Sequence, residues 1–220
     1  MPTPEWLKKW KQVKEKTVSP VDLNTYFEES EIAGKQLAVM EIGPCSLPSG
    51  KILVRDPLVY LADRARYAAV RLKFTGKRPV WFYEALIGHE NLNDLEGGEY
   101  FGFDVDAGLG CICDEVLHQA ICDWSEQWDR GHPDANQYYD YFAPLFAENY
   151  KAYPEFQRED GDFLNWQIPG TKYHLPIFQS GFGDGVYPVY WGMDETGNIS
   201  QIVIQFIDIE LAYGEETAEK

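Results

Sequence analysis

Long apolar runs are missing from this sequence. No hydrophobic stretch approaches the roughly 20 residues that a membrane-spanning helix needs, so no transmembrane segment is expected. Met1 to Thr17 carries lysines but no apolar signal-peptide core, and a cytoplasmic protein is expected. Cysteine is scarce, with Cys45, Cys111, Cys113 and Cys122 among 220 residues. Cys111 and Cys113 are spaced C-x-C, and no second pair completes a zinc site. Reduced thiols are expected. Phosphate-cradling motifs are absent too. Gly181-Phe-Gly-Asp-Gly185 is followed by no Gly-Lys-Ser/Thr, and it contains no G-x-G-x-x-G. No cofactor is expected, and these motifs assign no metal site.

Basic residues are scarce beyond residue 78. Residues 79–220 hold 5 Lys+Arg against 27 Asp+Glu, while residues 1–78 hold 14 against 9. The net charge of −17 therefore comes from the second part of the chain. Such a field repels phosphate backbones and anionic lipid. Neither a nucleic acid nor a membrane is expected as partner; a basic protein is. The oligomeric state stays open.

Apolar residues are 45% of the chain and aromatics 15%, enough for a core. Pro4 to Thr17 reads as a helix capped by Thr3, with Trp6, Leu7, Trp10 and Val13 at helical spacing. Strands are expected over Lys35 to Ile42 and Lys51 to Arg55, the latter ended by Asp56-Pro57. Tyr67 to Phe74 alternates in the manner of a half-buried strand. Thr75-Gly-Lys77 should turn it back into Pro79 to Ile87 as a hairpin. Asp114 is placed to cap a helix over Glu115 to Asp129, ended by Gly131. Asp134 should cap a second helical stretch, which Pro144 either kinks or splits. Phe163 to Ile168, Tyr173 to Phe178, Pro188 to Gly192 and Ile199 to Glu210 read as strands, with a turn at Asp194 to Asn198. Strands, then helices, then strands predict an α+β fold. It should be mostly antiparallel sheet with two or three helices packed on one side. The expected layout is a docked helix over 1–18, a single domain over 19–212 and a flexible acidic tail over 213–220.

Chemistry-bearing residues gather in few places. Asp104, Asp106 and Asp114, joined by Asp184 from the glycine-rich bend, are candidate ligands of a hard cation. An EF-hand match starting at Asp104 fails, because Leu109 stands where glycine is needed and Gly108 where an oxygen ligand is needed. Turn-making and capping explain the same aspartates. Cys111 or Cys113 with His118 would form a thiolate–base pair, but Ile112 between them points to buried, inert thiols. Ser180 is not in a G-x-S-x-G elbow. Tyr187, Tyr190 and Trp191 are candidates to line a ligand cleft. No catalytic residue is identified.

Three stretches carry a family resemblance: Leu47-Pro-Ser-Gly-Lys-Ile52 with Asp56-Pro-Leu58, Phe101-Gly-Phe-Asp-Val-Asp-Ala-Gly-Leu-Gly-Cys111 with Asp114, and Ser180 to Asp194. With them the chain resembles a bacterial uncharacterised family, domain of unknown function 4241, from about residue 35 to 210. The resemblance implies no activity and no site residues. The residues themselves favour an interaction module, such as an immunity-type protein that neutralises a basic partner. A metal-dependent hydrolase using Asp104, Asp106, Asp114 and Asp184 is the alternative.

Overall fold

A computed structural model describes residues 2–55, 68–96, 98–106 and 108–214. The chain opens with α1 (Pro4–Val13), a 3-10 turn (Lys14–Thr17), α2 (Thr25–Glu28), β1 (Glu31–Ile32), β2 (Lys35–Gln36) and β3 (Ile52–Arg55). There follow β4 (Ala69–Lys73), β5 (Trp81–Glu84), β6 (Gly102–Val105), β7 (Leu109–Asp114) and α3 (Glu115–Gly131). Next come a π-helix (Gln137–Phe142), α4 (Ala143–Ala152) and a 3-10 turn (Pro154–Phe156). The chain ends with β8 (Phe163–Gln167), β9 (His174–Gln179), β10 (Gly185–Met193), β11 (Ile199–Gln205) and α5 (Ile209–Tyr213). Every pairing between these strands for which a register is defined is antiparallel, so the fold is α+β as the element order predicts. No helix among the described residues is long and apolar enough to cross a membrane. The expected strand stop at Asp56-Pro57, residue 67, Gly97, Ala107 and tail residues 215–220 lie outside the described residues.

The chain forms two compact units. One comprises Met1–Val39, Tyr67–Phe103 and Val186–Lys220; the other comprises Met40–Arg66 and Asp104–Gly185.

In the first unit the sheet order is β4-β11-β10-β5, with β6 also paired to β10. This corrects the expected hairpin. β4 and β5 follow each other in sequence but do not pair, because the β10–β11 hairpin lies between them. Burial explains the order. Most of β10 and nearly all of β11 is buried, so they take the centre, while β4 is only half-buried. Asp194 closes the central hairpin. Its Oδ1 accepts the N–H groups of Thr196 and Asn198, each at 2.9 Å. Its Oδ2 accepts Lys77 Nζ at 2.7 Å, and that ammonium first, then the turn donors, holds the carboxyl well below the usual range. The Thr75–Lys77 turn is thus pinned to the β10–β11 hairpin instead of closing a β4–β5 hairpin.

Leu23, Tyr26, Phe82, Tyr190, Val203 and Ile209 fill this unit's core. α1 is attached by its tryptophans: Trp6 Nε1 donates to Glu90 O at 3.1 Å, and the Trp10 ring meets Tyr83 edge-on at 6.4 Å. Two further expectations are corrected here. Of Lys35 to Ile42 only Lys35–Gln36 is strand, in a two-stranded ribbon with Glu31–Ile32. Ile199 to Glu210 does not run on as strand either. It ends at Gln205, and Asp208 then caps α5 by accepting Leu211 N–H at 3.0 Å. Local capping wins over β-branched composition there.

In the second unit the sheet order is β3-β7-β9-β8. Leu109, Cys111, Cys113, Trp166, Leu175 and Ile177 point from it to Leu117 and Ile121 of α3, and to Phe142 and Phe146. Alternation along each strand delivers one apolar face, and helical spacing delivers the other. Trp124 binds the layers: its ring lies 4.8 Å from Trp166, 4.7 Å from Tyr141 and 5.6 Å from Phe142. The second helical stretch starts from an Asn136 cap rather than Asp134, with Tyr139 N–H donating to Asn136 Oδ1 at 3.0 Å. Pro144 does split it. Proline sits in the first turn of α4, where its missing N–H costs nothing, and the preceding turn is wound as a π-helix.

Two glycines are constrained differently. A Cβ on Gly102 would collide with the Tyr187 backbone. Gly183 has φ +80° with open space around it. Gly102→Ala should therefore cost about 1–3 kcal/mol by overpacking, and Gly183→Ala about 1–2 kcal/mol by strain alone. Urea unfolding of both variants checks this; equal and negligible losses would contradict the pairing of β6 beside Tyr187.

Candidate functional site

The four aspartates do not act as one group. Asp106 precedes β7 and Asp114 ends it, and a six-residue strand spans about 20 Å. Asp114 is wholly buried, and its carboxylate is filled by local donors. Oδ2 accepts the N–H groups of Ser49 (2.9 Å) and Gly50 (2.7 Å). Oδ1 accepts the Ser49 hydroxyl (2.8 Å) and Val116 N–H (2.9 Å). Burial pushes its pKa up, but these donors outweigh it and hold the carboxyl below its ordinary value. Asp114 is the cap of α3 and the anchor of the Leu47-Pro-Ser-Gly50 turn. Asp104, Asp106 and Asp184 are exposed. Among the described residues no three His, Cys, Asp or Glu side chains are placed to share a metal ion.

The glycine-rich bend is held by Ser180. Its N–H donates to Gly108 O at 2.7 Å, and its buried hydroxyl donates to Gly183 O at 3.1 Å. Gly181 and Gly183 take φ +79° and +80°, the left-handed region that glycine enters freely. The bend is a corner that brings the end of β9 beside Gly108, and Ser180 is its fastener.

Tyr187, Tyr190 and Trp191 lie on β10, where alternation puts Tyr187 and Trp191 on one face and Tyr190 on the other. Tyr187 packs against Phe206 at 5.2 Å and Phe103 at 6.3 Å. Trp191 packs on Phe74 at 6.3 Å. Tyr190 is in the core beside Tyr26 and Phe82, and burial raises its phenol pKa.

Cys111 and Cys113 are fully buried in the second unit's core, away from any dissolved substrate. Cys45 donates to Ile112 O at 3.3 Å, and burial pushes its thiol up to about 12, with Cys113 and Asp114 adding to the rise. Cys122 is half-buried on α3, its Sγ 3.9 Å from His118 Nε2.

Two features were not picked out from the sequence. Glu84 ends β5 as a buried carboxylate, accepting Phe101 N–H at 3.1 Å. Burial pushes its pKa up to about 7; the Phe101 N–H pulls down and Glu90 pushes up. Parity signals it, since Glu84 shares a face with buried Phe82 in Trp81-Phe-Tyr-Glu84. The other is a cavity of about 270 Å³ in the second unit, floored by Trp124, Trp166 and Phe142 and edged by Cys122, Ser125, Glu126 and Gln137. A second hollow, of about 450 Å³ in the first unit, is lined by Tyr26, Val21 and Ile32 and ringed by Asp22, Glu29, Glu31, Asp208 and Glu210. Neither lining contains a lysine or arginine.

The family described as protein of unknown function, DUF4241, matches residues 59–204, well over half of the chain. The chain belongs to this family. The match covers β4 to β11 nearly whole, and with them the Asp114 cap, the Ser180 corner and the cavity under Trp124. No curated protein and no solved structure matches the chain.

The two buried carboxylates should give opposite pH signatures. Asp114 has a lowered folded pKa, so its stabilisation is present above the unfolded value of about 3.9 and is lost as pH falls below it. Asp114→Asn should remove that acid-side loss and cost about 2 kcal/mol at neutral pH. Glu84 has a raised folded pKa, so the folded chain holds the extra proton between about 4.3 and the folded value of about 7. Stability from this group therefore falls as pH rises through that window. Glu84→Gln keeps an acceptor for Phe101, flattens the fall and makes the protein more stable than wild type at pH 8. Thermal unfolding across pH 3–9 measures both.

Thiol titration gives a third check. At pH 8 one thiol, Cys122, should react promptly with a disulfide reagent, with Cys45, Cys111 and Cys113 released only on unfolding. Prompt reaction in a Cys122→Ala variant would contradict the burial of Cys111 and Cys113 and the raised pKa of the half-buried Cys45.

Proposed function

We propose that the protein is an interaction module whose acidic helical face docks a basic partner protein, in the manner of an immunity-type protein neutralising a cationic toxin. The surface of residues 115–160 carries this reading. That segment holds ten Asp+Glu against three Lys+Arg, and all ten carboxylates are exposed. Two of the three cations are already engaged, Lys151 by Glu148 at 2.8 Å and Arg158 by Asp162 at 2.7 Å. Large side chains stand exposed among the acids: Tyr139 is 55% and Tyr153 57% accessible. Aromatic side chains within a charged field are what protein-binding surfaces use for contact area. The carboxylates supply steering, which acts on the association rate.

The hydrolase alternative has no supporting observation of this kind, since Asp114 spends its oxygens on the Ser49–Gly50 turn and on α3.

Asp123, Glu126 and Asp129 are exposed and three residues apart, neighbours along α3. Affinity capture with wild type should retain cationic proteins at about 50 mM salt and release most of them by about 300 mM, where screening is strong. Reversing the three to lysine should slow association with the captured partner at least tenfold. Binding that ignores both salt and charge reversal would sink the proposal.

A further inference from the structure

The cavity beneath α3 adds a second element to that face. It lies between α3 and the π-helix; the half-buried Trp124, Cys122, Ser125 and Gln137 line its accessible part, and Phe142, Trp166, Leu175 and Ile177 stand buried behind them. Its volume of about 270 Å³ falls below the roughly 300–1,000 Å³ of sites for drug-sized ligands. It is the size of one large side chain. Its apolar lining is led by the Trp124 ring, and its polar lining is Ser125, Glu126 and Gln137. There Gln137 Nε2 donates to Ser125 Oγ at 2.5 Å and to Asp129 Oδ1 at 2.8 Å, which fixes the π-helix against α3. Glu126 is part of the rim, and Asp123 and Asp129 flank it one turn away on each side. An apolar hole therefore opens within a row of three exposed carboxylates.

We infer that this cavity takes a single large apolar side chain from a basic segment of the partner, with lysines or arginines on both sides of that anchor meeting Asp123, Glu126 and Asp129. The inference rests on the reading of the acidic face as a docking surface. It adds what that reading lacks, a reason for one basic segment to be chosen over another. Charge alone accepts any cationic chain, whereas a desolvated pocket discriminates by what fills it. A neutral apolar ligand lacks the flanking cations, and an acidic peptide is repelled by the rim.

Two synthetic peptides test this, an oligolysine with one central phenylalanine and the same peptide with glycine in that place. Calorimetry at low ionic strength should show the phenylalanine peptide binding about tenfold or more tightly, as expected for burying one such side chain. Bound phenylalanine peptide should slow alkylation of Cys122 at least tenfold, and the glycine peptide much less. Capping Cys122 with N-ethylmaleimide should erase the preference while leaving the glycine peptide's affinity within twofold. A Cys122→Ala variant should keep the preference with or without the reagent. Because that variant removes only a half-buried thiol, its fold is checked by its unchanged affinity for the glycine peptide. Salt-sensitive binding of both peptides with equal affinity overturns the anchor pocket and leaves the acidic face standing. A preference that survives the cap in wild type also overturns the pocket. No salt-sensitive binding of either peptide overturns both readings together.

Discussion

One buried carboxylate sets the geometry of the second unit. Asp114 ends β7, caps α3 and holds the turn that leads into β3, using four donors on two oxygens. A carboxylate taken fully out of water is tolerated only when its charge is met by hydrogen bonds. Here the donors are mostly backbone N–H groups, including one that a helix start always leaves unpaired. The same contact fixes where α3 leaves the sheet, and so where its apolar stripe meets Cys111, Cys113 and Ile177. The acidic residues of α3 follow on the opposite side, because a 3.6-residue period leaves them no other place.

That arrangement carries an electrostatic cost. Ten exposed carboxylates over 46 residues repel one another, and the direct ion pairs seen to them among the described residues are the exposed Lys51 with Glu115 and Lys151 with Glu148. Exposed pairs of this kind contribute little. Apolar packing must hold the helices down instead, and the ring cluster around Trp124 does so. Four aromatic side chains, Trp124, Tyr141, Phe142 and Trp166, meet within 4.7–6.3 Å. Each such pair adds to what its buried area supplies. The charge is thus carried by helices packed on an aromatic cluster.

Much of this was legible in the sequence, and the misses have physical causes. Asp114 reads as a cap because a helical stripe starts at once behind it, and β8 and β9 read as strands because Pro169-Gly170 punctuates them. Strand pairing was not legible in the same way. Thr75-Gly-Lys77 has hairpin chemistry, yet β4 and β5 pair with β11 and β10, because two longer and more buried strands take the middle of the sheet. Local turn signals say that the chain reverses, not what it reverses beside. Ile199 to Glu210 looks uniform in composition, but the Asp208 cap converts its end to helix. Asp114 leaves the aspartate group for a similar reason: nearness in sequence puts Asp106 and Asp114 at opposite ends of a strand. The cavity is harder still to foresee. Trp124 and Trp166 are 42 residues apart, and no period in the sequence connects α3 to β8.

The π-helix links the fold to its proposed use. The residues before Pro144 are wound as a π-helix, with Phe142 in the core and Gln137 bonded to α3. A π-wound turn is intrinsically unfavoured and is found where a local shape is needed. In this chain the shape produced is an apolar opening beside Asp123, Glu126 and Asp129. Long-range charge can gather cationic chains at that face but cannot rank them. In the proposed complex the opening would supply short-range selection, beside the ring cluster that packs α3 onto the sheet.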